Sequence, residues 1–371
     1  MRITWAEINL SAIRHNLTCI RNAAPNARII AVVKANAYGH GIVHVAQEAV
    51  DAGADYLGVG FLEEGILLRK KTITCPILVL GGVLFHQVRR FLENNLDITV
   101  SSLGLAYAVN SAARESGTRA RIHLKFDTGL NRIGINYEKA ASVFERLKPL
   151  DHIEIVGVYS HFSTADDPNG DFTHLQLERF NHIVSIAESF GIQPRYRHIA
   201  CSGALLQHPD ACFNMIRAGL IMYGLYPTPS ITRSFNLQPV LSFKSRVVFL
   251  KDVPEGQPIS YGRTYYTQRR TRIATIPVGY GDGYNRALSN RGEVLIGGRR
   301  FPVVGRICMD QIMVDIGQDS SIRVGDEVVI YGEQGTERIS IEEIAEKLGT
   351  IPYEVVCWIA HRVPRVFVRN G

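Results

Sequence analysis

The chain has 371 residues, 46% hydrophobic and 20% charged, with 41 basic against 35 acidic side chains and a formal net charge of +6. This composition supplies a large core, and the length favours two domains. The basic residues are spread without Lys/Arg blocks, which disfavours nucleic-acid binding, and no uncharged run is long enough to span a bilayer.

Glu7 and Asn9 in MRITWAEINL fall where a secretory signal would need an apolar core. Six cysteines (Cys19, Cys75, Cys201, Cys212, Cys308, Cys357) are scattered without CxxC pairs. Neither a zinc site nor a disulfide framework is indicated, and a cytoplasmic protein with reduced thiols is expected.

In chain order, short apolar runs predict strands over 29–33, 56–59, 77–80, 98–100, 122–126, 153–158, 197–200, and 215–217 or shortly after. Helical patterns over 42–52, 62–71, 103–116, 137–148 and 172–190 lie between them. Strict alternation implies a parallel sheet, and about eight repeats suit an eightfold βα (TIM-like) barrel better than an open sheet. Near Pro227 the stretch TPSITRSFNLQP reads as a linker. After it, short strands over 241–253, 272–278, 293–296, 301–307, 312–316 and 327–331 are separated by Gly and Pro turns, with one helix over 341–348 capped by Ser340. The expected organisation is an α/β barrel domain over 1–233 and a mostly β domain over 234–371.

The run AVVKANAYGHG ends a β-branched strand pattern with Lys34. Lysine is almost never fully buried without a partner or a task. Strand ends of a parallel barrel point into the ligand crevice, and Ala35, Ala37, Gly39 and Gly41 allow close backbone approach. Lys34 is therefore either a Schiff-base lysine or a strand-end lysine snorkelling to solvent. Lys125, Asp127, Arg132, His161, His198, Ser202 and Arg217 fall at the same expected rim. Gly219 with Ser202 could supply donors for a phosphate. Each has a structural reading alone; their convergence at one rim argues for a site.

These motifs, with HLKFDTGLNRIG, HFSTAD, NMIRAGLIMYGL, ISYGRTY, IPVGYGDGY, GRICMDQIMVDI and the terminal RVPR, resemble the alanine racemases over essentially the whole chain. The resemblance implies a pyridoxal 5'-phosphate enzyme interconverting L- and D-alanine by two bases, working as a homodimer with shared active sites. It implies that Lys34 holds the cofactor, that Tyr38, Ser202, Gly219 and Leu220 cradle its phosphate, and that Arg217 hydrogen-bonds the pyridine nitrogen with His161 and His198 behind the ring. A guanidinium cannot readily give up its proton, so the electron sink is weaker than one facing a carboxylate.

By the same resemblance, Tyr261 of the partner subunit is the second base. A free tyrosine titrates near pH ~10 and needs a nearby cation to act so, for which Arg132 is the family's choice. Lys125 matches a position that some members carry as a carbamate orienting that arginine. Tyr280, Met309 and Asp310 from the partner would shape the mouth and receive the substrate carboxylate. His361, before RVPR, stands where a phosphate-contacting tyrosine is expected. A smaller side chain there would leave a roomier pocket admitting serine beside alanine. The alternatives are a broad-specificity or serine racemase, a decarboxylase of related fold, a Schiff-base aldolase, and a non-catalytic carrier of the cofactor.

Overall fold

The computed structural model describes residues 2–167 and 169–369. Eight parallel strands form the first layer: Arg28–Val32, Tyr56–Val59, Ile77–Val79, Asp97–Val100, Ala120–Asp127, Ile153–Tyr159, Tyr196–His198 and Met215–Ala218. Neighbours in this order pair in parallel, and Met215–Ala218 returns to pair with Arg28–Val32. The ring is completed on its last side by Arg217 N–H donating to Ala200 O at 3.1 Å. The result is the nearly closed barrel that alternating strand and helix demand.

The strands read as continuous apolar runs because both faces are covered, by the barrel interior and by the outer helices. Ile29, Ile30, Ala31 and Val33 are all 1% exposed or less. The helices take their periodicity from the inward stripe. In Ile42–Asp51, for instance, Ile42, Val45, Ala46 and Ala49 are buried, and Leu103–Glu115 starts on a Ser102 side chain that accepts from Leu105 N–H.

A second sheet of ten strands, mostly antiparallel, contains Leu241–Arg246, Phe249–Val253, Thr271–Ile276, Glu293–Ile296, Arg299–Val304, Ile312–Asp315 and Glu327–Gln334. It differs from expectation in two ways. The run 241–253 is two strands, the first pairing with Glu327–Gln334 and the second with Thr271–Ile276. The chain's first strand, Trp5–Asn9, also belongs to this sheet, lying between Leu241–Arg246 and Arg365–Val368. Alternation within Trp5–Asn9 shows a half-buried strand but not its partner. The helix Ile341–Leu348 is capped as expected by Ser340, whose side chain accepts from Glu343 N–H at 3.0 Å. No helix among the described residues is long and apolar enough to cross a membrane.

Candidate active site

The strand Arg28–Val32 delivers Lys34 to the carboxyl end of the barrel, and the backbone then turns left-handed. Ala35, Asn36, Ala37 and Tyr38 have φ of 52°, 54°, 54° and 49°. Each non-glycine residue in that region costs roughly 1–2 kcal/mol, so the surroundings must enforce the turn. The Glu64 carboxylate accepts from Ala35 N–H and from Gly60 N–H, both at 2.7 Å, and Asn36 Oδ1 accepts from Ile42 N–H at 2.9 Å. Gly39 completes the turn against the helix Pro352–Cys357: a Cβ there would sit 2.3 Å from the Val356 carbonyl oxygen. The strain aims Tyr38 inward beside Lys34, a placement that suits function better than a snorkelling lysine.

Lys34, Tyr38, Lys125, Arg132, His161, Ser202, Arg217 and Gly219 all line one cavity of about 800 Å³. That volume lies in the range of small-molecule sites, and the lining holds four cationic residues without a carboxylate. Such a cavity attracts anions. Burial, with Arg132 nearby, holds the Lys34 amine below its ordinary value. Burial likewise brings Lys125 down to about 7, with Arg217 and Arg132 adding to the effect. Its Nζ sits 4.4 Å above the Tyr159 ring. Asp127 is committed to the following loop, its Oδ1 accepting from Gly129 N–H at 2.8 Å and Asn131 N–H at 3.1 Å.

Arg217 is pinned on four of its five N–H groups. Nη1 donates to His198 Nδ1 at 2.8 Å and His198 O at 3.1 Å; Nη2 donates to Ser160 O, Ile199 O and His161 Nδ1 at 2.8–2.9 Å. Nε–H has no partner among the described residues and is the donor left for the cavity. Burial, then the charge of Arg217, holds both His161 and His198 well below the usual imidazole range.

At the other wall, Ser202 Oγ accepts from Gly219 N–H at 3.2 Å. A Cβ on Gly219 would come within 3.3 Å of Ser202 Oγ and 3.4 Å of the Tyr38 hydroxyl, so only glycine leaves this cradle open. The third hydroxyl here belongs to Tyr353, a residue the sequence reading missed. It lines the cavity and packs 5.9 Å from Tyr38 between ring centroids. His361 is exposed and does not line the cavity, so the roomier pocket expected from it does not arise. The helix that carries Tyr353, Pro352–Cys357, is only six residues long, too short for periodicity, although Pro352 at its first position marks the start.

Leu220 has its side chain buried off the cavity lining, and His198 lies behind Arg217, its Nδ1 2.8 Å from Nη1. Tyr261, Tyr280, Met309 and Asp310 do not reach this cavity within their own chain. They are exposed; Tyr261 is 71% so, in a turn where Ser260 and Arg263 have φ of 65° and 48°. Tyr280 N–H donates to Cys308 O at 3.1 Å, Gly281 N–H to Met309 O at 2.9 Å, and Arg362 Nη2 to Asp310 Oδ1 at 2.7 Å. Ser260 Oγ lies 3.6 Å from Cys308 Sγ, which ties the Tyr261 turn to the same cluster.

A parallel barrel whose first strand ends on a buried-tending lysine, beside a phosphate-sized cradle of hydroxyls and a large β-rich companion, defines a class of enzymes that work through that lysine. Family models agree: the alanine racemase N-terminal domain matches residues 8–227 and the alanine racemase C-terminal domain residues 240–367. The chain belongs to the alanine racemase family. It is 47% identical over 367 residues to an alanine racemase of Symbiobacterium thermophilum, covering 99% of this chain and 97% of that protein. It is 44% identical to one of Methanococcus maripaludis, covering 98% of each. The solved alanine racemase of Clostridium difficile 630 superposes with a TM-score of 0.94 at 40% identity, covering 100% of this chain and 97% of that one.

Proposed function

We propose that this protein is a pyridoxal 5'-phosphate-dependent racemase that interconverts L- and D-alanine, working as a homodimer. The carrying observation is Lys34 held in a strained turn, its amine lowered below its ordinary value by burial, within a cationic cavity lined by the hydroxyls of Tyr38, Ser202 and Tyr353. The residues fit the cofactor. The Ser202 and Tyr38 hydroxyls flank the space that a Cβ on Gly219 would fill, and Tyr353 lines the same wall beside Tyr38, a donor set suited to a phosphate. Arg217 Nε–H would donate to the pyridine nitrogen and Lys34 would hold the aldehyde carbon.

When bound, pyridoxal phosphate supplies the electron sink that acidifies the Cα–H of an amino acid. Lys34 Nζ holds and returns a proton on one face of Cα. The opposite face needs a second base, and Tyr261, Tyr280, Met309 and Asp310 form an exposed cluster that does not line the Lys34 cavity of its own chain. Placed over a partner's cavity, Tyr261 is that base, while Tyr280 and Met309 narrow the mouth and exclude water. Arg132, at the cavity rim, orients the Tyr261 hydroxyl and the substrate carboxylate.

Burial lowers Lys125 to about 7, which shifts it toward the neutral amine that adds to carbon dioxide, releasing a proton and leaving a carbamate beside Arg132. Native mass spectrometry in bicarbonate buffer is expected to show this added mass and Lys125→Ala to lose it; an unmodified parent protein contradicts the assignment.

Borohydride reduction of the cofactor-loaded protein, followed by peptide mapping, tests the reading directly. A pyridoxyl group fixed on Lys34 is expected, and one fixed on another lysine overturns it. For the cradle, Tyr353→Phe is expected to weaken cofactor binding about tenfold, the loss of one hydrogen bond to a charged group, in a spectrophotometric titration of the apoprotein. His361→Ala should leave that titration unchanged; the reverse order of effects would restore His361 to the phosphate site.

A further inference from the structure

The interior of the barrel carries a line of polar groups that the proposed reaction does not require. Small barrels normally fill this space with branched apolar side chains. Here Asp97, Thr99, His123 and His198 are all 0% exposed, and they form a chain from the amino-terminal floor of the barrel up to Arg217. Asp97 opens its strand at the floor, where its carboxylate accepts from Arg121 Nε at 2.7 Å and from the Tyr56 hydroxyl at 3.2 Å.

The direction of each hydrogen bond in this chain follows from one fact, that a guanidinium can only donate. Arg217 Nη1 lies 2.8 Å from His198 Nδ1, so that nitrogen must carry a lone pair. The proton of neutral His198 is then on Nε2, which lies 3.0 Å from His123 Nδ1. His123 Nδ1 must in turn accept, which leaves its proton on Nε2. That nitrogen makes no hydrogen bond within normal limits among the described residues, and the Asp97 carboxylate faces it at 3.6 Å. Burial pushes the Asp97 carboxyl up, but the neighbouring His123 and the hydrogen-bonded Arg121 outweigh it, so Asp97 is held below the usual carboxylate range and able to accept. Tyr159 stacks on the His198 ring at 4.6 Å and 5°, and bonds Thr99 at 2.7 Å, which fixes the plane in which the chain runs.

We propose that Asp97 is the terminal acceptor of a one-directional relay, Arg217 to His198 to His123 to Asp97, and that Asp97 and His123 are positioning residues that fix Arg217 from the far end of the barrel. If the last acceptor is lost, His123 is free to carry its proton on Nδ1. It then donates to His198 Nε2, His198 is left with its proton on Nδ1, and that N–H meets Arg217 Nη1 donor to donor. Arg217 must shift, and its free Nε–H shifts with it. A buried carboxylate that selects a histidine tautomer in this way acts on a group it never touches.

The test uses the full chain labelled with ¹⁵N-histidine. In the parent protein without cofactor, both His123 and His198 are expected as neutral Nε2–H tautomers; a proton on Nδ1 of either overturns the relay without any variant being made. Asp97→Asn presents an amide that can donate to His123 Nε2, and is expected to reverse at least one tautomer, displace the visible band of bound pyridoxal phosphate and weaken its binding about tenfold. Arg121→Gln removes the ion-pair partner of Asp97 but keeps the carboxylate, so it should lower Tm and leave both tautomers and the band as in the parent. If Asp97→Asn also lowers Tm alone, the chain is structural packing and the relay is wrong. The spectral arm rests on the proposed cofactor. The tautomer arm needs neither cofactor nor turnover, so failure of the two readings is distinguishable.

Discussion

Lys34→Ala is expected to lower racemisation by about 10⁴-fold or more, and to leave a protein that binds pyridoxal phosphate weakly and without the absorption of a Schiff base. The magnitude combines two losses, a general base, typically about 10²–10⁴-fold, and the covalent anchor that fixes the substrate's Cα against it. Folding should be preserved, because Lys34 is a partly exposed side chain in a desolvated position whose removal relieves repulsion from Arg132. Equal or higher Tm with activity lost is the expected pair of results. Residual activity within about tenfold of the parent would place the chemistry on another amine, of which Lys125 is the nearest in kind.

Tyr261→Phe is expected to cost about 10²–10⁴-fold in racemisation, a loss equal in both directions because the equilibrium constant between enantiomers is unity. The facial assignment is therefore read from exchange rather than from conversion. In deuterium oxide, D-alanine should still exchange its Cα–H through Lys34 without inverting, and L-alanine should not exchange. Equal loss of exchange from both enantiomers would contradict the division of faces. Mixing Lys34→Ala with Tyr261→Phe should restore activity by forming mixed dimers with one intact site. Tyr261 is exposed and absent from its own cavity, so a monomer has no means of producing that recovery.

Much of this was legible in the sequence because it depended on local pattern. Apolar runs with both faces covered located all eight barrel strands, and the strand-end position of Lys34, Lys125 and Arg217 followed from them. What remained hidden was long range. Trp5–Asn9 pairs with strands more than two hundred residues away, which no periodicity reports. Tyr353 reaches the cradle because Gly39 allows the helix Pro352–Cys357 to press against the Lys34 turn, a contact between distant segments. His361 seemed the better choice only because it adjoins a recognisable motif. The left-handed run Ala35–Tyr38 was also invisible, since alanine and tyrosine do not advertise positive φ as glycine does.

The racemase reading meets its most direct test in enantiomer conversion by the purified, cofactor-loaded protein, supplied with L-alanine and L-serine in parallel and followed by chiral chromatography of both products. Alanine should proceed to an equal mixture of enantiomers, with serine far behind, because Tyr353 rather than His361 lines the cavity. No D-product from either substrate, by protein whose Lys34 carries the cofactor, would contradict the proposed activity.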